Sequence, residues 1–509
     1  MRTKYSFYNF LVSIIASIAL PLIGFVKVRL FIDLYGSELN GLQLTMAQVI
    51  TYLNVCELAF SLAFRQLLFK PLAEKKYDKV LEIYHSAKSI FKVTGYSLII
   101  LSLLIAIIFP LFSSSPINYW ETVITFVILS IPFGLSYFMM GPNFVIMADQ
   151  KEYKINIWIQ LIAIARMILM ILVIIFKLPY LLIFIIEGLQ VFIANYIARK
   201  IALKNYPWLK NKNHHYIKND DFKDNAKYTI IQRLATLATT NTDNIVIAAF
   251  MGYQMVSIYG NFCYLTNSVS RIINSAITSP INSFGNLFND ENGDKYKVFT
   301  EFLNFAIYIA SIISIGVFIV MPRFLQIWMN FRPEYSVSLL MSILFAINIY
   351  YLTMREPIII SRDANGLFKD AKNNAYAQAI VKLLLTILMI KKWGITGALA
   401  ATLFTNWTID FLYNPILVYK KVFKINPLKY YIMILVRLFI SIIIAFVCYQ
   451  IWMLMLPYIS LSTLNFFIGV ILIGLLIFTL VTLVYVMLFK SFRDLIKRFV
   501  LILKKISIP

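Results

Sequence analysis

Apolar runs long enough to cross a bilayer recur from one end of this 509-residue chain to the other. Phe466–Leu488, FFIGVILIGLLIFTLVTLVYVML, is 23 residues without a charge. A bilayer core offers backbone amides no water, so a stretch of roughly 20 apolar residues is stable there as a helix that closes its own hydrogen bonds. A chain built of such runs is expected to be an all-α integral membrane protein. Its composition, 60% hydrophobic and 14% charged, departs the same way from a soluble domain, where about a quarter of residues are charged. No polar block is long enough to fold as a soluble domain. The N-terminal MRTKYSFYNFLVSIIASIAL has a leader's charge pattern. Its apolar run continues past Pro21 and Gly24 to Leu34, so an uncleaved first span is expected.

Hydropathy places spans near 7–34, 41–67, 90–112, 120–146, 155–176, 179–203, 226–250, 254–286, 299–321, 335–360, 372–391, 394–419, 430–456 and 463–489, fourteen in all. An even number puts both ends on one side. Sorting the 47 Lys and Arg by loop places 34 on the side of the termini and 7 on the other. By the positive-inside rule both termini are cytoplasmic. The net charge of +23 is therefore read as a topology signal, and no nucleic-acid partner is expected. The tail after span 14, with Arg493, Lys497, Arg498, Lys504 and Lys505 among apolar residues, suits either an interfacial helix on anionic lipid or a frayed end. The three cysteines fall inside spans and the three histidines in basic loops. Neither set has ligand spacing, so no metal is expected.

The outward loops are short, the longest being about fourteen residues near 321–334. A membrane glycosyltransferase or glycan polymerase usually carries an outward domain with acidic residues, and none is available. No catalytic pair, Asp-x-Asp triplet or phosphate-cradling Gly-rich loop is present. NDENGD at 289–294 lacks the alternating ligands and terminal Glu of a calcium loop and reads as a solvated turn.

A shift of 216 residues superposes span 1 on span 7, with Gly36 meeting Gly252, Asn9 meeting Asn225, and Asp78–Lys79 meeting Asp294–Lys295. Six spans per copy is even, so the copies share orientation about an axis along the membrane normal. The expected organisation is a six-helix bundle at 1–205, a basic cytoplasmic linker at 206–225, a second bundle at 226–425, two further helices at 426–490 and a basic amphipathic tail at 491–509. Two bundles around a central cavity is a transporter plan.

Charges within the spans are expensive, about 2.5–3.5 kcal/mol each on insertion scales, and tend to face a bundle interior or cavity. In span 8, Asn267, Arg271, Asn274, Ser275 and Thr278 share one helical face. Arginine's planar fork suits phosphate oxygens, so Arg271 with Asn267 and Asn274 is a candidate substrate site. Arg233, Lys27 and Arg29 are further candidate cations, although Lys27 and Arg29 equally suit snorkelling to the surface. Asp243 shares its face of span 7 with Thr236, Thr239 and Thr240. It reads as a site for a coupling proton or sodium ion, or as counter-ion to Arg271 or Arg233. Glu57, on a face with Asn54, Ser61 and Arg65, is the second coupling candidate. Arg166 with Glu187, and Lys382 with Asp410, read as interhelical pairs or cavity lining. Arg355–Glu356–Pro357 marks a helix break, and Arg437 is expected to reach the inner interface. No cofactor is expected beyond that coupling ion.

The chain resembles the polysaccharide-biosynthesis flippases of the multidrug/oligosaccharidyl-lipid/polysaccharide exporter superfamily. The resemblance rests on KPLAEKK (Lys70–Lys76), TDNIVIAAFMG in span 7, SFGNLF (Ser283–Phe288), REP (Arg355–Pro357), ANGLFKDAK (Ala364–Lys372) and KKWGITGALAATLFTNW (Lys391–Trp407). It implies alternating-access transfer of undecaprenyl-diphosphate-linked glycans across the bacterial cytoplasmic membrane for O-antigen, capsule or exopolysaccharide synthesis. The partners expected are the lipid-linked glycan and membrane lipids, with polysaccharide polymerase or glycosyltransferases as candidate associates; the oligomeric state stays open, a monomer being favoured. A cleft richer in cations than acids suits a diphosphate head. The competing readings are a cation-coupled multidrug antiporter of the same fold, whose cavity should favour acids, and a membrane glycosyltransferase or polymerase.

Overall fold

The computed structural model describes residues 2–112, 117–149, 151–210, 237–239, 241–278, 295–365, 367–459, 462–494 and 496. Every regular element among them is helical. The chain falls into two compact units, Met1–Asn261 and Phe262–Pro509. Nine helices among the described residues are long and apolar enough to cross a membrane.

The first unit opens with α1 (Arg2–Tyr35), α2 (Ser37–Leu53), α3 (Val55–Ala73) and α4 (Tyr77–Ile108). It continues with α5 (Tyr119–Ser136), α6 (Gly141–Ala148), α7 (Tyr153–Ile175), α8 (Leu181–Asn205), α9 (Asp243–Met251) and the first turns of α10 (Tyr253–Thr278). The expected second span is thus two helices that break at Asn54, and the expected fourth is split by a 3-10 turn at Tyr137–Met139. Aromatic stacking holds α3, α4 and α6 together. Phe91 lies 5.0 Å from Phe144 at an interplanar angle of 21°, and Phe64 lies 6.0 Å from Phe91.

Gly36 ends α1 at φ 87°, ψ 167°, and Gly252 ends α9 at φ 83°, ψ 173°. This region is open essentially only to glycine, because a Cβ would clash with its own backbone. Each glycine N–H is bonded to the carbonyl four residues back, Ile32 and Ala248 respectively. The two positions matched by the 216-residue shift therefore make the same turn. Close by, α2 meets the start of α10 backbone to backbone: a Cβ on Gly41 would lie 1.7 Å from the Tyr253 carbonyl oxygen. Asn40 fixes the crossing by donating to Ser257 Oγ at 2.8 Å.

The second unit contains the rest of α10, α11 (Lys295–Trp328), α12 (Leu339–Met354), α13 (Glu356–Ala364), α14 (Phe368–Thr405), α15 (Phe411–Val418), α16 (Leu428–Ile459) and α17 (Thr463–Leu488). α12 gives way to α13 at Arg355, where Pro357 sits in the new helix's first turn. α14 carries two expected spans joined at Gly394, whose φ of 59° and ψ of −141° turn the chain. Single π-helical turns at Asn406–Asp410 and Tyr419–Phe423 flank α15. The last two long helices pack on α11 through a core that includes Tyr308, Ile315, Trp452, Ile473, Ile477 and Tyr485.

Candidate functional site

Four helices of the first unit meet at one carboxylate. Glu187, near the start of α8, accepts Arg166 Nη1 from α7 at 3.0 Å. Its other oxygen accepts the side-chain amide of Gln43 from α2. The carbonyl of that amide accepts Lys27 Nζ from α1 at 2.8 Å. Gln43 thus relays one end of the carboxylate to a second cation. Lys27 is 6% exposed, and the Arg166 and Glu187 side chains are 17% and 24% exposed. The Lys27 ammonium also lies 4.7 Å above the Phe31 ring, a favourable cation–π distance. Arg29, two residues on, turns outward and meets Asp33 at 3.8 Å, both about two-fifths exposed. The two basic residues of span 1 therefore part company: Lys27 faces the interior and Arg29 does not.

Two cations and one carboxylate leave this cluster with a net charge of +1. Isolated buried charge is costly, and Arg166 Nε has no hydrogen-bond partner among the described residues. The cluster is electrostatically incomplete in a way that an anion would complete.

Further polar groups follow along α2 and α3. Tyr52 shares a hydrogen bond of 2.5 Å with Thr242 Oγ1. Beside it Asp243, buried, accepts the Tyr259 hydroxyl at 2.9 Å. Asp243 is the first residue of α9, where the helix dipole favours an acid. The carboxylate that hydropathy places inside a span thus sits at a helix start. Asn54, at the α2–α3 break, accepts Tyr137 at 2.8 Å, and its side chain bonds to Glu57. Asn40, Gln43, Asn54 and Glu57 fall on a single 3-4 spaced face. Stepping the Asn54–Glu57 stripe back by threes and fours reaches Gln43, an uncharged amide that leaves no mark in the pattern of charges.

In the second unit Asn267 and Arg271 are exposed on one face of α10. Arg233 and the Asn274 side chain lie outside the described residues. Leu265 and Val269, on the opposite face of α10, line an apolar cleft of about 290 Å³ with Ile313, Phe324, Ile473 and Ile477. Asp410 takes a partner that the sequence did not indicate. Opposite charges on neighbouring spans suggest Lys382, but Arg355 Nη1 donates to it at 3.1 Å, joined by Tyr351 and Asn414. The break at Arg355 and the π turn at Asp410 reposition both residues, and helical spacing cannot foresee that. Lys382 is buried, at 2% exposure. Arg437 is buried within the protein. It is 2% exposed, held over the Phe489 ring at 4.5 Å and the Tyr485 ring at 5.6 Å, with Ser491 Oγ 3.5 Å away. It lies against the carboxyl end of α17, where the helix dipole attracts a cation.

No described protein family and no curated protein matches the chain by sequence. Solved structures do match it in fold. The lipid II flippase MurJ, in an inward closed conformation, superposes with a TM-score of 0.71 at 18% identity, covering 96% of this chain and 100% of that one. An inward-facing multidrug resistance MATE family transporter of the MOP superfamily gives 0.55 at 10%, covering 81% and 94%. A mutant of the Vibrio cholerae MATE transporter VcmN gives 0.56 at 12%, covering 82% and 98%. The chain has the fold of these transporters.

Proposed function

We propose that the protein is a flippase that moves an undecaprenyl-diphosphate-linked oligosaccharide across the bacterial cytoplasmic membrane by alternating access, supplying surface polysaccharide synthesis. The observation that carries this reading is the net-positive, part-buried Lys27–Gln43–Glu187–Arg166 cluster within a transporter fold. A diphosphate entering a membrane protein loses hydration and must regain it from donors. Each close cation–phosphate contact returns roughly 4 kcal/mol at 4 Å and an effective dielectric of 20, before desolvation. Lys27 and Arg166 supply two such contacts. Asp243 and Glu57 are the candidate carriers of a coupling proton or sodium ion.

The test is lipid analysis of a strain lacking the gene. Undecaprenyl-linked repeat units accumulating on the inner leaflet support the reading; an unchanged lipid-linked pool overturns it. In the same strain Arg271→Ala is expected to abolish export and Arg271→Lys to retain part of it. The MATE neighbours favour a second reading, a multidrug exporter of this fold. Cationic dye efflux from cells expressing the protein, with no change in lipid-linked glycan, would establish that reading instead.

A further inference from the structure

We propose that Glu187 is an internal stand-in for the cargo's phosphate, and that it takes up a proton when the phosphate displaces it. This rests on the diphosphate reading above and specifies how its site works.

In the empty protein Glu187 holds Arg166 directly and Lys27 through Gln43. Both cations are thereby kept in place and partly neutralised, at a net charge of +1. A diphosphate diester brings about two negative charges, since each of its phosphates is strongly acidic. With Glu187 still ionised the loaded cluster would carry −1, and a carboxylate and a phosphate would compete for the same two donors. Like charges at close range in a site of low dielectric repel strongly. If Glu187 takes a proton from water, the loaded cluster is neutral: two cations against two phosphate charges, with the carboxyl uncharged. The neutral carboxyl keeps one acceptor oxygen and gains an O–H donor, so it still has bonds to make with Gln43.

The surroundings contain few competing groups. Lys27 is the charged group facing the cluster from α1, with the Arg29–Asp33 pair turned outward. On α2 the nearest acid is Glu38, in contact with the Gln254 backbone N–H. On α7 the facing group is Arg166 itself. On α5, which packs against α8, Glu121 is occupied by the Tyr180 hydroxyl at 3.2 Å. Glu187 is thus the carboxylate that both Lys27 and Arg166 depend on. Its side chain retains about a quarter of its exposure, the opening that displacement by a phosphate requires.

The experiment is calorimetric titration of the purified full-length protein, between about pH 5 and 6.5, with farnesyl diphosphoglucose, a diphosphate diester that carries two charges throughout, in two buffers of different ionisation enthalpy. The expected result is uptake of close to one proton per ligand in the wild type and close to none in Glu187→Gln. Within this range the variant should also bind more tightly than the wild type at the upper end, because its cations are no longer contested. Wild-type affinity should rise by up to tenfold per unit fall in pH where the proton is taken up, and variant affinity should stay flat. Should Glu187→Gln fail to fold, the wild type still decides, because binding with no proton uptake overturns the proposal. So does equal uptake in wild type and variant. Absence of farnesyl diphosphoglucose binding at every pH overturns the diphosphate reading as well, whereas binding without proton linkage overturns only this inference.

Discussion

Gly36 and Gly252 hold the same glycine-only backbone conformation at equivalent points of a 216-residue repeat. Any side chain there is strained, at a cost of about 1–3 kcal/mol. Gly36→Ala and Gly252→Ala are each expected to lower the midpoint of thermal unfolding followed by size exclusion. Gly316→Ala is the control. It lies in α11 with nothing within 4 Å of an added Cβ, and alanine is the better helix former by up to about 1 kcal/mol, so stability should hold or rise. Arg437 offers a second test. Its guanidinium is buried with Nε and Nη1 unpartnered among the described residues. Replacing such an ion with a packed apolar side chain is often neutral or stabilising. Arg437→Met is expected to leave the unfolding midpoint unchanged or raise it, while Arg437→Asp lowers it.

Single helices are broken where polar chemistry is placed. α2 yields to α3 at Asn54, beside Glu57; α12 yields to α13 at Arg355; and a π turn precedes α15 at Asp410. Such irregularities free backbone groups and turn side chains, and in membranes they survive only where protein satisfies them. The Arg355–Asp410 contact at 3.1 Å ties two of these irregular points together. Asp410→Asn leaves Arg355 without its carboxylate and is expected to cost on the order of 3 kcal/mol. The double variant with Arg355→Met should recover part of the loss. Additive losses in that double-mutant cycle would show the two residues to be uncoupled.

For the whole molecule, we expect reporter fusions at both ends to read as cytoplasmic, following the uneven distribution of Lys and Arg. In vesicles, Asp243→Asn is expected to remove the dependence of transport on a proton or sodium gradient. Unchanged gradient dependence would remove Asp243 from the coupling role and leave Glu57.

The all-helical membrane class and the Arg355 break were legible because they depend on local terms. Twenty apolar residues must form a helix in lipid, and a proline must end or bend one, whatever surrounds them. The Arg166–Glu187 pair was legible too, as two opposite charges on consecutive spans. What the sequence left open was partnership across helices. Gln43 as the link between Lys27 and Glu187, Arg355 in place of Lys382 beside Asp410, and the burial of Arg437 all depend on which helical faces pack together. That choice is made by backbone breaks and close crossings such as Gly41 on Tyr253. Hydropathy fixes how far each segment runs through the membrane, and tertiary packing alone decides which of its sides becomes interior.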